Sequence, residues 1–168
     1  MSIHAHQKGV GLMEVLVALL ILAIGVLGFV ALQYRAIEAS TEGENRIQAI
    51  NIARDVAEKI RVNRSAMDTY VATIADPSIT DLPTTNCFND FCTPIQKAQF
   101  DGAWVRLSAR QKGMMVNMMG CPGIANNRQC IYVAWGDTAA TADGDDVDCT
   151  TNTGTYTPNS TCVVMEVY

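Results

Sequence analysis

Behind Glu14 the chain runs for eighteen residues, Val15 to Leu32, without a charged side chain. No other stretch restricts the fold as much. At about 1.5 Å per residue the run makes a helix about 27 Å long, close to the roughly 30 Å hydrocarbon thickness of a bilayer. Glu14 sits at its edge, where a carboxylate is costly unless it finds a partner, and so marks a functional position.

A secretory signal has a basic start, an apolar core of about 7 to 15 residues and small residues before its cleavage point. This segment fits that pattern poorly. Its core is longer, an acidic residue precedes the core, and no small-x-small site follows Leu32. A plain membrane anchor leaves Glu14 unexplained.

The stretch Lys8-Gly9-Val10-Gly11-Leu12-Met13-Glu14 resembles the signal of type IV prepilins. In that family a short basic leader ends in Gly, Glu is the fifth residue of the mature chain, and an apolar run follows. The resemblance implies that a prepilin peptidase on the cytoplasmic side cuts between Gly9 and Val10 and methylates the new amine. Val10 stands where the family usually has Phe, and Gly11 where it has a hydroxyl residue; neither change touches the Gly or the Glu. The freed Val10 amine is protonated at neutral pH, since an α-amino group titrates near about 7.7 to 8.0. In low dielectric that cation and a Glu14 carboxylate neutralise each other, whereas either alone is strongly penalised. The resemblance implies that the pair forms between successive subunits, making Glu14 the assembly residue.

The net charge of −5 becomes −6 when Lys8 leaves, so no global field draws nucleic acid, and none is expected as a partner. Cys87, Cys92, Cys121, Cys130, Cys149 and Cys162 all follow the apolar run. An even count behind a translocated anchor implies an oxidising compartment. Fifteen pairings are open; the close spacings favour Cys87 with Cys92 and Cys121 with Cys130, leaving Cys149 with Cys162. Zinc is the rival reading of the Cys-x4-Cys spacing, but no histidine follows His6.

Beyond Leu32 the text turns polar without a breaker, predicting an amphipathic continuation of the helix from Gln33 to about Asn63. Ile47, Ile50, Ala53, Ala57 and Ile60 form one apolar stripe at spacings of three and four. Arg54, Lys59, Arg61 and Arg64 crowd the helix end, where cations favourably meet the dipole. The segment Ile52-Ala53-Arg54-Asp55-Val56-Ala57-Glu58-Lys59-Ile60-Arg61-Val62-Asn63-Arg64 resembles the "LAE-x-(M/I)-R-x-N" segment of the minor-pilin family called type IV pilus modification protein PilV. Ile24-Gly25-Val26-Leu27-Gly28, Ala31-Leu32-Gln33, Trp104 with Leu107, and Val133-Ala134-Trp135-Gly136-Asp137 fit the same family.

Met67 to Thr93 reads as loop, punctuated by Asp76-Pro77, Leu82-Pro83 and Thr93-Pro94. A second helix is predicted from Pro94 to Lys112, capped by Gly113, with Phe100, Trp104 and Leu107 on its inner face. Met114, Met115, Met118 and Met119 read as core filler rather than soft-metal ligands, because no histidine joins them. Cys130 to Trp135 and Cys162 to Tyr168 read as strands, with Gly136 to Thr161 as a polar surface excursion between them. Within that excursion Asp143, Asp145, Asp146 and Asp148 offer hard oxygens suited to calcium, although the twelfth-position Glu of an EF-hand is missing. A solvated acidic loop is the plainer reading.

His4 and His6 leave with the leader, removing the commonest general base and any Ser-His or Cys-His pair. No phosphate-cradling Gly loop is present, so neither a cofactor nor enzymatic activity is expected. The resemblance implies an α+β, type IV pilin-like fold: a long N-terminal helix, apolar in its membrane half and amphipathic beyond, packed on a small antiparallel sheet with disulfide-stapled loops. It divides the chain into a leader (1–9), a transmembrane or filament-core helix (10–34) and a periplasmic globular domain (35–168). The partners it implies are prepilin peptidase, other minor pilins, the major pilin, a PilY-type tip adhesin and the inner membrane. The chain is expected to span the inner membrane once and then to reach the cell-surface pilus.

Overall fold

A computed structural model of the chain describes residues 11–124 and 128–167. Helix α1 covers Leu12–Val62 and is followed by a short 3-10 turn, Arg64–Ala66. Then come α2 (Met67–Ala75), α3 (Pro94–Gln111) and three strands, β1 (Met114–Gly120), β2 (Gln129–Trp135) and β3 (Cys162–Val167). Two compact units divide the chain between Gly43 and Glu44, within α1. The expected boundary at residue 35 marks where hydropathy changes, whereas this division marks where packing begins.

In the second unit the strands form one antiparallel sheet in the order β1-β2-β3, with Met114 opposite Trp135 and Ile131 opposite Met165. β2 is central and buried on both faces, which is why it reads as an unbroken apolar run rather than an alternation. Ile131, Val133 and Trp135 face the main core, where they meet Met114, Val116 and Met118 of β1 and the three helices. Tyr132 and Ala134 face a second cluster with Cys121, Cys130, Ala140 and Cys149. The polar stretch between β2 and β3 therefore covers the back of the sheet instead of wandering over the surface. Two isolated bridges, Ala139 with Asp148 and Thr150 with Tyr156, hold it there.

The buried stripe of α1 is Ala49, Ile52, Ala53, Val56 and Ile60. This corrects the predicted stripe: Ile47 is exposed, and Ile50 and Ala57 are only half-buried. The small Ala49 and Ala53 faces let α1 approach the core closely, which large side chains at the same positions would prevent.

Helix α2 lies inside the stretch expected to be loop. Its threonines and valine are poor helix formers and it has no side-chain N-cap, yet Met67, Tyr70, Val71 and Ile74 make a helical stripe that packs on the core. Burial of that stripe overrides the local propensity. α3 begins as predicted. Thr93 accepts from the Gln96 backbone N–H at 3.3 Å, Gln96 Oε1 accepts from the Thr93 N–H at 3.0 Å, and Pro94 stands in the first turn. Gly113 follows with φ of +69°, the left-handed conformation that ends the helix.

The inner face of α3 is made by Ala98, Phe100, Ala103, Val105 and Ala109, with Trp104 42% exposed and Leu107 half-buried. Phe88, from the loop closed by Cys87 and Cys92, explains the shift of Trp104. It stacks edge-on against Phe100 at 4.9 Å and against Trp104 at 5.3 Å between ring centroids. Trp104 is thus partly covered by the loop rather than by the core.

Gly102 marks the closest approach of α3 to α2. A Cβ there would lie 2.8 Å from Thr73 Cγ2, and Thr73 is itself buried with a stiff β-branched side chain. Alanine gains up to about 1 kcal/mol in helix propensity, but overpacking costs about 1–3 kcal/mol. Gly102→Ala is therefore expected to destabilise the domain by roughly 1 kcal/mol, read as a lower urea midpoint with an unchanged slope. A higher midpoint would show that Thr73 yields freely.

Candidate functional site: the apolar helix and its acidic residue

Gly11 and residues 12–43 of α1 form the described part of the first unit. This half contains a strongly apolar window long enough to cross a membrane, and none of that window is buried. Leu16, Leu20, Ile24 and Leu27 are exposed on it, as are Leu19, Ile21 and Val26 on its other faces. A helix apolar all round is stable only in lipid or against other helices. Gly25 and Gly28 have open space around them, and the helix passes through both.

Glu14 lies in the first turn of α1, where its backbone N–H donates to Gly11 O at 2.9 Å. Its carboxylate meets the positive end of the helix dipole. It makes no side-chain hydrogen bond or ion pair with another described residue, and it is exposed. Gly9 and Val10, the expected cleavage pair, lie outside the described residues. What this end of the molecule presents is an apolar cylinder bearing one carboxylate without a counter-ion among the described residues.

In the second unit the cysteines join as Cys87–Cys92, Cys121–Cys130 and Cys149–Cys162, the connectivity that the spacing favoured. The ion pairs Lys59–Asp55 and, at 3.7 Å, Arg61–Glu58 run along the outer face of the α1 end. Of the four methionines, Met114 and Met118 enter the core, whereas Met115 is exposed and Met119 packs half-buried on the second cluster.

The acidic loop does not bring its carboxylates together. Asp143, Asp145 and Asp146 are exposed, while Asp148 is 4% exposed and turned inward. Its oxygens accept from the Thr141 hydroxyl and from the backbone N–H groups of Gly144 and Asp145, each at 2.8 Å. Among the described residues no group of three His, Cys, Asp or Glu side chains converges as a metal site. Of the four weak calcium candidates Asp143, Asp145, Asp146 and Asp148, the most buried carboxylate, Asp148, is committed to closing its own loop.

The Thr141 hydroxyl, together with those backbone N–H groups, holds the Asp148 carboxyl below the usual carboxylate range. A carboxyl whose pKa is lower in the folded chain binds protons more readily when unfolded, so its contribution is present above the unfolded pKa and lost as pH falls through the folded value. Asp148→Asn is expected to cost about 1–3 kcal/mol at pH 7. The gap from wild type should close below the ordinary carboxylate range, in urea unfolding followed from pH 7 to pH 3. A gap independent of pH would remove the charge from this account.

The residue that sequence reasoning missed is Arg106, buried on α3 with no acidic neighbour in the sequence to announce it. Only its contacts with chain segments far away in sequence reveal its environment.

A family model described as type IV pilin Tt1218 matches residues 31–103, and the model of the prokaryotic N-terminal methylation motif matches residues 4–30. Neither a curated protein nor a solved structure shows a significant match. The two adjoining matches cover α1, α2 and the first half of α3, and they carry the apolar helix with Glu14 inside the methylation motif. Such a motif makes the chain a substrate of prepilin peptidase and a partner of other pilins, and the family is structural in role. Residues 4–103 thus carry the prepilin methylation motif and a type IV pilin domain, which fits a pilin anchored in the inner membrane by its apolar helix and assembled into the pilus.

Proposed function

We propose that this pilin is a minor pilin of the PilV type, acting in the priming or tip complex that starts type IV pilus assembly and so supports twitching motility and adhesion. The observation that carries the reading is the segment Ile52 to Arg64. It resembles the PilV-like pattern from Ala57 to Asn63, with Val56 where that pattern has Leu, and its Ala53, Val56 and Ile60 are the positions that fix the end of α1 in the core. Arg54, Glu58, Arg61 and Arg64 stay at the surface, available to a neighbouring subunit.

In this proposal the peptidase cuts after Gly9, Val10 becomes the methylated N-terminus, and Glu14 pairs with the amine of an adjacent subunit. The cylinder of apolar side chains leaves the bilayer for the filament core, exchanging lipid for other helices at little hydrophobic cost. A PilY-type adhesin is the proposed neighbour at the tip.

Deletion of the gene, scored together for piliation, twitching and exoprotein secretion, tests the reading. Loss of piliation and twitching supports it. Intact pili with failed secretion would identify a minor pseudopilin of type II secretion, which shares the methylation motif. Intact pili with lost adhesion or DNA uptake would identify a tip-located binding module. For the processing step, N-terminal sequencing should begin at methylated Val10, and a start beyond Leu32 would overturn it.

A further inference from the structure

Arg106 carries a charge that the fold does not answer. It is 8% exposed on α3, and its Nη1 donates to the carbonyls of Ile74, near the end of α2, and Val116, on β1, the latter at 3.3 Å. These two bonds use one corner of the guanidinium. Nε is buried without a partner, and Nη2 makes no hydrogen bond with any described residue. The Nε–H and Nη2–H bonds point the same way and form the fork with which arginine grips two oxygens of a carboxylate or phosphate.

No carboxylate among the described residues forms an ion pair in that fork. Asp76 acts on Arg106 through space, but its Oδ1 is engaged by the Ser78 backbone N–H at 2.8 Å and the Ser78 hydroxyl at 2.7 Å, and it makes no ion pair with Arg106. The other charge nearby has the same sign. Arg110, one turn further along α3, has Nη1 and Nη2 on the carbonyls of Ile79 and Pro77, both at 2.9 Å. Desolvation and the charge of Arg110 both push the Arg106 pKa down, so the pair costs stability as it stands.

Both arginines line a cleft of about 260 Å³, with Met115, Asn117, Ala140 and Thr141 among its other walls. Asn117 is committed elsewhere, donating to Ala140 O at 2.9 Å and accepting from the Met118 N–H at 2.8 Å. The charged side chains that line the cleft are therefore both cationic. The volume falls below the roughly 300–1,000 Å³ of drug-sized ligand sites and suits one small group.

We propose that this cleft binds a small oxyanion, held by the Nε–Nη2 fork of Arg106 with Arg110 contributing a second positive charge. The shared chemistry is two oxygens carrying negative charge, supplied by an inorganic phosphate or by a carboxylate. The site is independent of the PilV-type reading, and its ligand compensates a buried charge whose hydrogen bonds to described residues all go to carbonyls.

The test uses the processed full-length chain in detergent micelles, titrated calorimetrically with inorganic phosphate and, separately, with acetate, at ionic strength held constant with chloride. A saturable one-to-one heat is expected. A rise in Tm on the order of 5 °C should accompany it at a hundredfold excess over Kd. Arg106→Lys keeps the charge but loses the fork, and should weaken binding at least tenfold. Arg110→Gln keeps the fork and should weaken it several-fold, so the test survives if Arg106→Lys fails to fold. Binding of phosphate alone identifies the phosphate source, and comparable binding of acetate identifies the carboxylate source. Heats no larger than those of chloride, or binding untouched by both variants, would overturn the site.

Discussion

Glu14→Ala is expected to be cleaved and methylated normally and yet to be depleted from pili on the order of a hundredfold or more. The substitution lies beyond the proposed cut and leaves Gly9 and Val10 as they are. Assembly is different, because the proposed pair places a protonated amine in low dielectric, and removing one partner of a buried ion pair costs about 3–5 kcal/mol. Each 1.4 kcal/mol is a factor of about ten in an equilibrium. Immunoblots of sheared pili against membrane fractions measure the ratio, and mass spectrometry of the membrane pool checks processing. Glu14→Gln separates charge from hydrogen bonding and should fall nearly as far. Wild-type incorporation of either variant would remove the charge pair from the assembly mechanism.

Replacing Cys149 and Cys162 together with alanine should cost about 3 kcal/mol of domain stability, the chain-entropy value for a closed loop of this size. The two residues are 13 apart, and the bridge fastens the covering segment to the edge strand of the sheet. Cys149 is completely buried against Tyr132 and Ala134, so the loss also loosens the second cluster. The Cys87–Cys92 pair is the comparison. It closes a loop of separation 5 outside both core clusters, and its removal should cost about 2 kcal/mol or less. Urea unfolding of both double variants in the same detergent measures the difference. Equal losses would mean that the covering segment holds itself on the sheet without its staple.

The N-terminal half of the fold was legible because its signals are local. Eighteen uncharged residues behind Glu14 specify an apolar helix without reference to anything else in the chain. Pro94 in the first turn and the terminal Gly113 fixed α3 to within a residue for the same reason. β2 and β3 announced themselves by β-branched and aromatic runs. Helix α2 was hidden because a Thr- and Val-containing nonamer becomes helical only when its stripe is buried. The stripe of α1 was misplaced for a related reason. Apolar residues at 47, 49, 50, 52, 53, 56, 57 and 60 support two overlapping helical faces, and the partner surface decides between them. β1 was read as core filler rather than as a strand, since its alternation is carried by methionine and asparagine.

The candidate site divides in the same way. Glu14 stood out because its surroundings in sequence are its surroundings in the helix. Arg106 did not, because its unanswered charge depends on Ile74 and Asp76, about thirty positions away. The acidic loop was open to two readings for the opposite reason: a run of aspartates looks like a ligand set as well as a solvated loop, and local sequence does not show that one of them closes the loop on itself.

The three disulfides also bear on export. Each joins cysteines adjacent in the chain's cysteine order, first with second, third with fourth, fifth with sixth, at separations of 5, 9 and 13 residues. A chain held by its N-terminal anchor enters the periplasm from that end, so each cysteine meets its native partner before the next pair has emerged. Thiol oxidation in order of arrival, by attack of a thiolate through a mixed disulfide, then gives the native connectivity directly. With pairing in that order an oxidase is sufficient and no disulfide has to be reshuffled.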